Sequence, residues 1–513
     1  MISRDGELIS LWQEGALPFS TPNRPSRLRY DVAIVGGGIT GVTTALMLQK
    51  AGKHCVLFEA ETLCFGTTGG TTAHINTMMD TPYADIIKNF GKENAVLLAR
   101  AAAGVIQTIR TNIDEYNITC GFEDAEAYVF AKDDKQTQEL EALYKGCGEV
   151  GVSAYFSATT PVPIRFTKAM SVSGQAKFHP IKYVYALARA FEEAGGVIIQ
   201  HCRIQKVIEG DVFVYIDSQK GQFQTSALIY ATHTPPGVNL LHLRCAPYRS
   251  YALAVRLKDG QYPKDLAYDM EDPYHYYRTQ YVDDVPYLIA GGEDHKTAHH
   301  QNTRSCFRDL EAHVRRYFNV SEVTHCWSSQ YFEPDDGIPY IGHLPGHAGN
   351  VYVATGFGGN GITYSHIAAM VLRDIIVQTP NPLIALFSPT RIKAVAGFVH
   401  FVDHNADVVK QFVNKWFSSE QVATDLSDLA PGEAKVIKYD GNLIALSKDD
   451  QGNLHVVDPT CTHMRCSVVW NNAERSWECP CHGARFSPDG KVLTGPANKD
   501  LEIVRLRTLV TKT

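Results

Sequence analysis

The stretch YDVAIVGGGITGVTTALMLQKAG, Tyr30 to Gly52, decides the fold of the larger, N-terminal part of this chain. Tyr30 to Val35 is a short apolar run of strand length. Gly36, Gly38 and Gly41 follow as G-x-G-x-x-G, and Ile39 to Ala51 has amphipathic helical spacing, with Ile39 and Thr40 in its first turn. Lys53 to Phe58 reads as a second strand, and Glu59 stands at its end. Gly36 permits a tight turn, Gly38 lets the backbone approach a pyrophosphate, and Gly41 lets helix and strand pack closely. The helix N-terminus favours phosphate charge. Glu59 lies about 20 residues on, where a carboxylate holds a ribose hydroxyl. The order predicts a dinucleotide-binding α/β unit, and the motif alone permits NAD or FAD.

Three later segments extend that reading. ETLCFGTTGGTTAHIN, after Glu59, is Gly/Thr-rich, and Gly66, Thr67, Thr71 and Thr72 are expected to wrap phosphates. Ala227 to Gly237 reads as a strand ending in a tight turn, which puts Ala231 and Thr232 beside the cofactor. Val351 to Ala354 runs into Gly356-Phe-Gly-Gly-Asn-Gly361 and then a helix. This loop also matches G-x-G-x-x-G, but no βαβ unit follows it. The better expectation is a helix N-terminus aimed at a flavin ring edge, with Gly356, Gly358, Gly359, Asn360, Gly361 and Ile362 around it.

At 513 residues the chain is long enough for two to four domains. A hydrophobic fraction of 44% suits large buried cores. A net charge of −7 argues against a nucleic-acid partner. No apolar run approaches the roughly 18 residues of a membrane span. The first residues carry scattered acids and no apolar core, so a cytoplasmic location is expected. There, clustered cysteines point to metal or redox chemistry more than to structural disulfides.

Such a cluster stands in CTHMRCSVVWNNAERSWECPCHGARF, Cys461 to Phe486. Cys461-Thr-His463 is one half-site, and Cys479 with His482 is the other. One Cys and one His from each of two loops fit a 2Fe–2S centre in which two thiolates hold one iron and two imidazoles the other. A Cys₂His₂ zinc site uses the same residues. Its weakness is the C-x-H spacing. The residues before Cys461 form short alternating runs broken by DG and QGN turns, which predicts a small all-β domain.

The first 385 or so residues resemble the D-amino-acid-oxidase-type flavoproteins, which include glycine oxidase-like and D-amino acid dehydrogenase-like enzymes. The matching segments are Gly36/Gly38/Gly41 with Glu59, FGTTGGTTA, AKFHPIKYVYALARAFEEAGGVII, YATHTPPG and PYIG…VYVATGFGGNG. Residues from about 425 to 513 resemble Rieske domains. The implied fold class is an α/β FAD-binding Rossmann-like domain with an antiparallel-sheet substrate domain, followed by an all-β Rieske domain. The FAD-binding parts are expected at about 28–84, 166–239 and 326–385, and the substrate domain at about 85–165 and 240–325. A helical linker is expected over 386–424, with Val395, Phe398, Val399 and Val402 on one face and a second helix from Ala406 to Phe417.

The resemblances imply FAD and a 2Fe–2S cluster held by Cys461, His463, Cys479 and His482. Likeness to the Rieske proteins of cytochrome bc-type complexes implies a Cys466–Cys481 disulfide, against two free thiols beside the cluster. High-potential members commonly carry a Ser after CPCHG and a Tyr two residues later. This chain has Ala484 and Phe486, which implies a lower potential.

Family members oxidise C–N bonds of amines or amino acids by hydride transfer to the flavin. A two-electron flavin joined to a one-electron cluster implies a dehydrogenase that feeds an external one-electron acceptor, protein or small molecule. The alternatives are an oxygen-using amine oxidase with a structural or regulatory cluster, and a redox-sensing protein. Arg278 is a candidate clamp for a substrate carboxylate. Tyr251, His275 and Tyr277 are candidates for lining the pocket or taking a proton. Trp327 and Gln330 are expected to pack near the flavin.

Overall fold

The computed structural model describes residues 4–25, 27–391 and 429–505. The expected linker helices fall almost wholly outside the described residues.

An eight-stranded sheet carries the dinucleotide motif. Arg29–Val35 lies at its centre, between Gly221–Tyr230 and Cys55–Phe58, and pairs with both in parallel. Val351–Thr355 and Val197–Ile199 extend it on either side, again in parallel. These strands are apolar throughout because helices cover the sheet. Ile39–Lys50 packs against Gly361–Val377 and Pro180–Glu193. Gly36 has φ +114°, and a Cβ there would lie 2.4 Å from the Ala231 carbonyl oxygen. A Cβ on Gly41 would lie 1.9 Å from the Gly36 carbonyl oxygen. Both glycines are therefore steric requirements of the turn.

A nine-stranded, mainly antiparallel sheet forms the second layer. Cys245–Leu257 pairs along its length with Val320–Pro334 on one side and with Val285–Lys296 on the other. The sheet also takes in Lys168–Lys177 and His74–Ile75, so it draws strands from segments that flank the expected insertions.

Alternation along these strands decides which side chains meet the dinucleotide-binding layer. Tyr251, Leu253, Val255, Tyr277, Leu288 and Ala290 point to one face, where Leu310 and Val314 of helix Thr303–Tyr317 cover them. Ala252, Ala254 and Ile289 point to the other face and join the main core with Trp327.

Residues 429–505 form small sheets of three and four antiparallel strands. Their core includes Trp477, Phe486 and Val468 with the cysteines of the half-sites.

Candidate functional site

A cavity runs along the central turn of the first sheet. Gly36, Gly38, Ile39, Thr40, Glu59, Gly66, Thr67 and Thr71 line one side of it. Ala231, Thr232, Gly358, Gly361 and Ile362 line the other. The remaining predicted contacts serve the walls. Gly41 sets the turn, and Thr72 bonds His74 and gives its carbonyl to Arg278. Gly359 donates its N–H to Asp80 Oδ2 at 2.7 Å, and Asn360 Oδ1 accepts from the Asp80 N–H at 2.7 Å. Gly356 and Asn360 face a neighbouring cavity.

Glu59 accepts the Gly37 N–H at 2.6 Å and the Glu61 N–H at 2.8 Å. Burial pushes its carboxyl up despite these bonds. A carboxylate has about four acceptor positions, so ribose hydroxyls still find a partner there. A Cβ on Gly38 would meet Thr68 Oγ1 at 2.9 Å, so the turn is open only because it lacks side chains. These features fit a bound dinucleotide.

Sequence reading missed several lining residues. Arg203, His233, Thr234, Tyr331 and Phe332 line this cavity, as do Asp5 and Leu493, Thr494 and Gly495 from the distant ends of the chain. His233 and Thr234 stand in the YATHTPPG turn itself, next to Thr232; no local motif signals the others, because their placement depends on how distant segments dock.

The two half-sites meet in the small β domain. Cys466 and Cys481 form a disulfide, with Cα atoms 6.6 Å apart. Cys461 and Cys479 are free and buried. The rings of His463 and His482 lie 5.0 Å apart at 89°. His463 Nε2 is buried without a hydrogen-bond partner among the described residues. Two free thiols, two converging imidazoles and a bridge between the loops fit a 2Fe–2S cluster bound by two Cys and two His.

The imidazole pair faces the flavin-type domain. His242 packs edge-on against His463, with centroids 4.7 Å apart at 84°, and lies 6.0 Å from His482. Asn239 N–H donates to His242 Nδ1 at 3.2 Å, so His242 Nε2 carries the proton and donates to the Pro235 carbonyl at 2.8 Å. The Gly237 N–H donates to the Pro496 carbonyl at 3.0 Å. Gln330 Nε2 donates to the Gly483 carbonyl at 2.9 Å, inside the second half-site loop. A Cβ on Gly483, at φ +72°, would stand 2.7 Å from both Gln330 and Pro247.

Six buried charges hold this contact. Arg249 pairs with Glu478 at 2.6 Å, and Arg485 pairs with Glu478 at 3.2 Å and Asp5 at 3.0 Å. Arg4 approaches Glu474 at 3.6 Å, and Ser328 donates to Glu474 through Oγ at 2.6 Å and N–H at 3.0 Å. Burial pushes the Glu474 carboxyl up, yet Arg4, Arg249 and Arg485 together hold it below its usual range. Three arginines and three carboxylates balance, as buried charge requires.

The proposed catalytic residues are not brought together at the cavity. Arg278 is fully buried, and its guanidinium donates to the carbonyls of Thr72, Ala73 and Phe178 and to Gln280. No donor pair is left to clamp a carboxylate. Tyr251 bonds His295 at 2.9 Å and Tyr277 bonds His313 at 2.6 Å, both on the helix-covered face. His275 bonds Asp269 at 3.0 Å and stacks on His313. Strand parity explains the placement of Tyr251 and Tyr277. The neighbours Ser250 and Tyr276, bonded to each other at 3.0 Å, take the opposite face. Gln330 lines the cavity, whereas Trp327 is fully buried, does not line it and donates to the Gly70 carbonyl at 2.8 Å.

Among the described residues no helix is long and apolar enough to cross a membrane. Comparison with known proteins agrees with the two sites. Residues 31–375 match the model of the FAD dependent oxidoreductase family, and residues 419–506 match that of the Rieske [2Fe-2S] domain. A Rieske 2Fe–2S iron–sulfur protein of Bacillus subtilis (strain 168), YhfW, is 32% identical over 478 residues, 93% of each chain. The gamma-glutamylputrescine oxidoreductase of Escherichia coli (strain K12) is 23% identical over 374 residues, 70% of this chain and 86% of its own. The crystal structure of glycine oxidase from Geobacillus kaustophilus superposes with a TM-score of 0.62 at 19% identity, over 72% of this chain and 100% of its own. The chain therefore belongs to the FAD dependent oxidoreductase family and carries a Rieske [2Fe–2S] domain after it, with FAD and a 2Fe–2S cluster as the cofactors of its two sites.

Proposed function

We propose that this protein oxidises the C–N bond of an amine or amino acid and passes the electrons, one at a time, through its Rieske cluster to an external acceptor. The observation that carries this reading is the seating of the cluster histidines against His242, on the segment that follows the cofactor-lining residues Ala231 to Thr234. When bound, FAD supplies hydride acceptance and the cluster supplies single-electron transfer. The chain's own residues fix the geometry between them. Thr67 Oγ1 bonds His233 Nδ1 at 3.1 Å, and Gln330 spans from the cavity wall to Gly483. Leu493 to Gly495 close the cavity from the Rieske side. A cluster with a detached structural role has no need of such a fitted contact with the flavin layer.

The balance is complete with an acceptor present. The amine loses a hydride from carbon and a proton from nitrogen and becomes an imine; the hydride's two electrons leave singly to the acceptor and its proton goes to solvent. The test is a Cys461→Ser variant that keeps FAD but loses the cluster. Flavin reduction by substrate is expected to persist while turnover with a one-electron acceptor collapses. Undiminished turnover with that acceptor would sink the proposal.

A further inference from the structure

A second cavity, of about 750 Å³, adjoins the dinucleotide cavity. The two share Phe357 and Gly358, so a ligand in the second lies against the loop expected at the flavin edge. We infer that this cavity takes a cationic amine that lacks an α-carboxylate, with its ammonium between Asp80 and Glu333 and its chain along Tyr248. The inference rests on the amine-oxidation reading above and narrows its substrate class.

Charge is the first argument. Asp80, Asp85, Glu333, Asp335 and Asp336 line the cavity, together with Lys88, Arg244 and Lys296. Arg244 lies 3.5 Å from both Asp335 and Asp336, and Arg391 takes Asp336 at 2.7 Å. That leaves Asp80, Asp85 and Glu333 outside these ion pairs, and Asp80 and Glu333 are open to the cavity. Burial, then Asp80 and Asp294, pushes the Glu333 carboxyl up to about 7. Burial likewise pushes Asp80 and Asp294 up to about 6. Asp294 accepts from Tyr331 Oη at 2.8 Å, and its other oxygen is buried with no hydrogen-bond partner among the described residues. Asp294 does not line the cavity and acts on Glu333 only through its charge. A cation placed between Asp80 and Glu333 relieves this repulsion, and an anion adds to it.

The wall agrees. Tyr248 lines the cavity and stacks on Tyr331 at 5.8 Å. Such ring faces attract ammonium groups. No free guanidinium offers a bidentate carboxylate clamp here: Arg244, the arginine that lines the cavity, lies against Asp335 and Asp336, Arg278 is spent on main-chain carbonyls, and Arg249 on Glu478 and Ser328.

The test uses the holoenzyme with two probes of equal chain, 1,4-diaminobutane and ornithine, which adds the α-carboxylate. Binding is read anaerobically as a perturbation of the flavin spectrum, and oxidation as flavin bleaching. The diamine is expected to bind, and Glu333→Gln to weaken it about tenfold or more, as loss of one charge-assisted contact does. Tyr248→Leu should weaken it independently, which guards against a misfolded single variant. Diamine binding without bleaching supports the cavity assignment while contradicting the oxidation reading. Ornithine binding as tightly as the diamine, or affinities unmoved by both substitutions, overturns the assignment even where bleaching upholds oxidation.

Discussion

His242 of the flavin layer and His463 of the Rieske domain meet edge to face, with ring centroids 4.7 Å apart. The imidazole edge of the cluster site therefore points inward, at the domain that binds FAD. His482 is 1% exposed and His463 half-buried beneath this contact.

The buried ion network should set the strength of this docking. Glu478 serves both Arg249 and Arg485, so Glu478→Gln leaves two buried guanidiniums short of a counter-charge. Breaking one side of such a pair costs about 3–5 kcal/mol. Urea unfolding followed at the cluster absorbance is expected to show that loss. A change below about 1 kcal/mol, the scale of a surface pair, would contradict it.

The glycine turn makes a sharper prediction. Gly36→Ala places a Cβ 2.4 Å from the Ala231 oxygen at φ +114°, in the turn that lines the cavity. The variant should purify with little or no FAD while its Rieske EPR signal remains. Full FAD content would show that the turn is not the cofactor's cradle.

Potential follows from two buried side chains. Ala484 and Phe486 are both fully buried in the cluster domain and carry no hydroxyl to donate toward the cluster sulfurs. The midpoint is expected toward the lower end of the roughly −150 to +300 mV Rieske range. Ala484→Ser and Phe486→Tyr should each raise it in a spectroelectrochemical titration.

Amine binding should weaken in mild acid. Of the carboxyls that line the cavity, Glu333 is pushed up to about 7 and Asp80 to about 6, so both gain protons as pH falls from 8 to 5. A cationic ligand holds them ionised, and protonation opposes it. The dissociation constant for a quaternary ammonium probe, which does not titrate itself, should rise across that window and flatten above pH 8. A flat profile would place the cation elsewhere.

Much of the fold was legible in sequence because it is local. The Tyr30–Gly52 segment predicts the strand, turn and helix seen at Arg29–Val35 and Ile39–Lys50. The cysteine and histidine spacing predicts both half-sites, and the resemblance the disulfide. The substrate face was not legible. Tyr251 and Tyr277 are apt residues in apt strands, but a period of two leaves open which face meets the flavin, and helix Thr303–Tyr317 claims theirs. Arg278 failed for a related reason: nothing local shows that main-chain carbonyls of Thr72 and Ala73 will consume its donors. The domain contact was equally hidden, since Asp5 and Arg485 meet across 480 positions of chain.

The central claim is that electrons run from substrate through flavin to cluster, and one measurement addresses it directly. Fully loaded protein is mixed anaerobically with amines and amino acids, flavin bleaching is followed optically, and samples are frozen for EPR. The account predicts that bleaching is followed by the signal of a reduced Rieske cluster. Flavin that bleaches while the cluster stays oxidised would contradict it and favour an oxidase whose cluster serves structure or regulation.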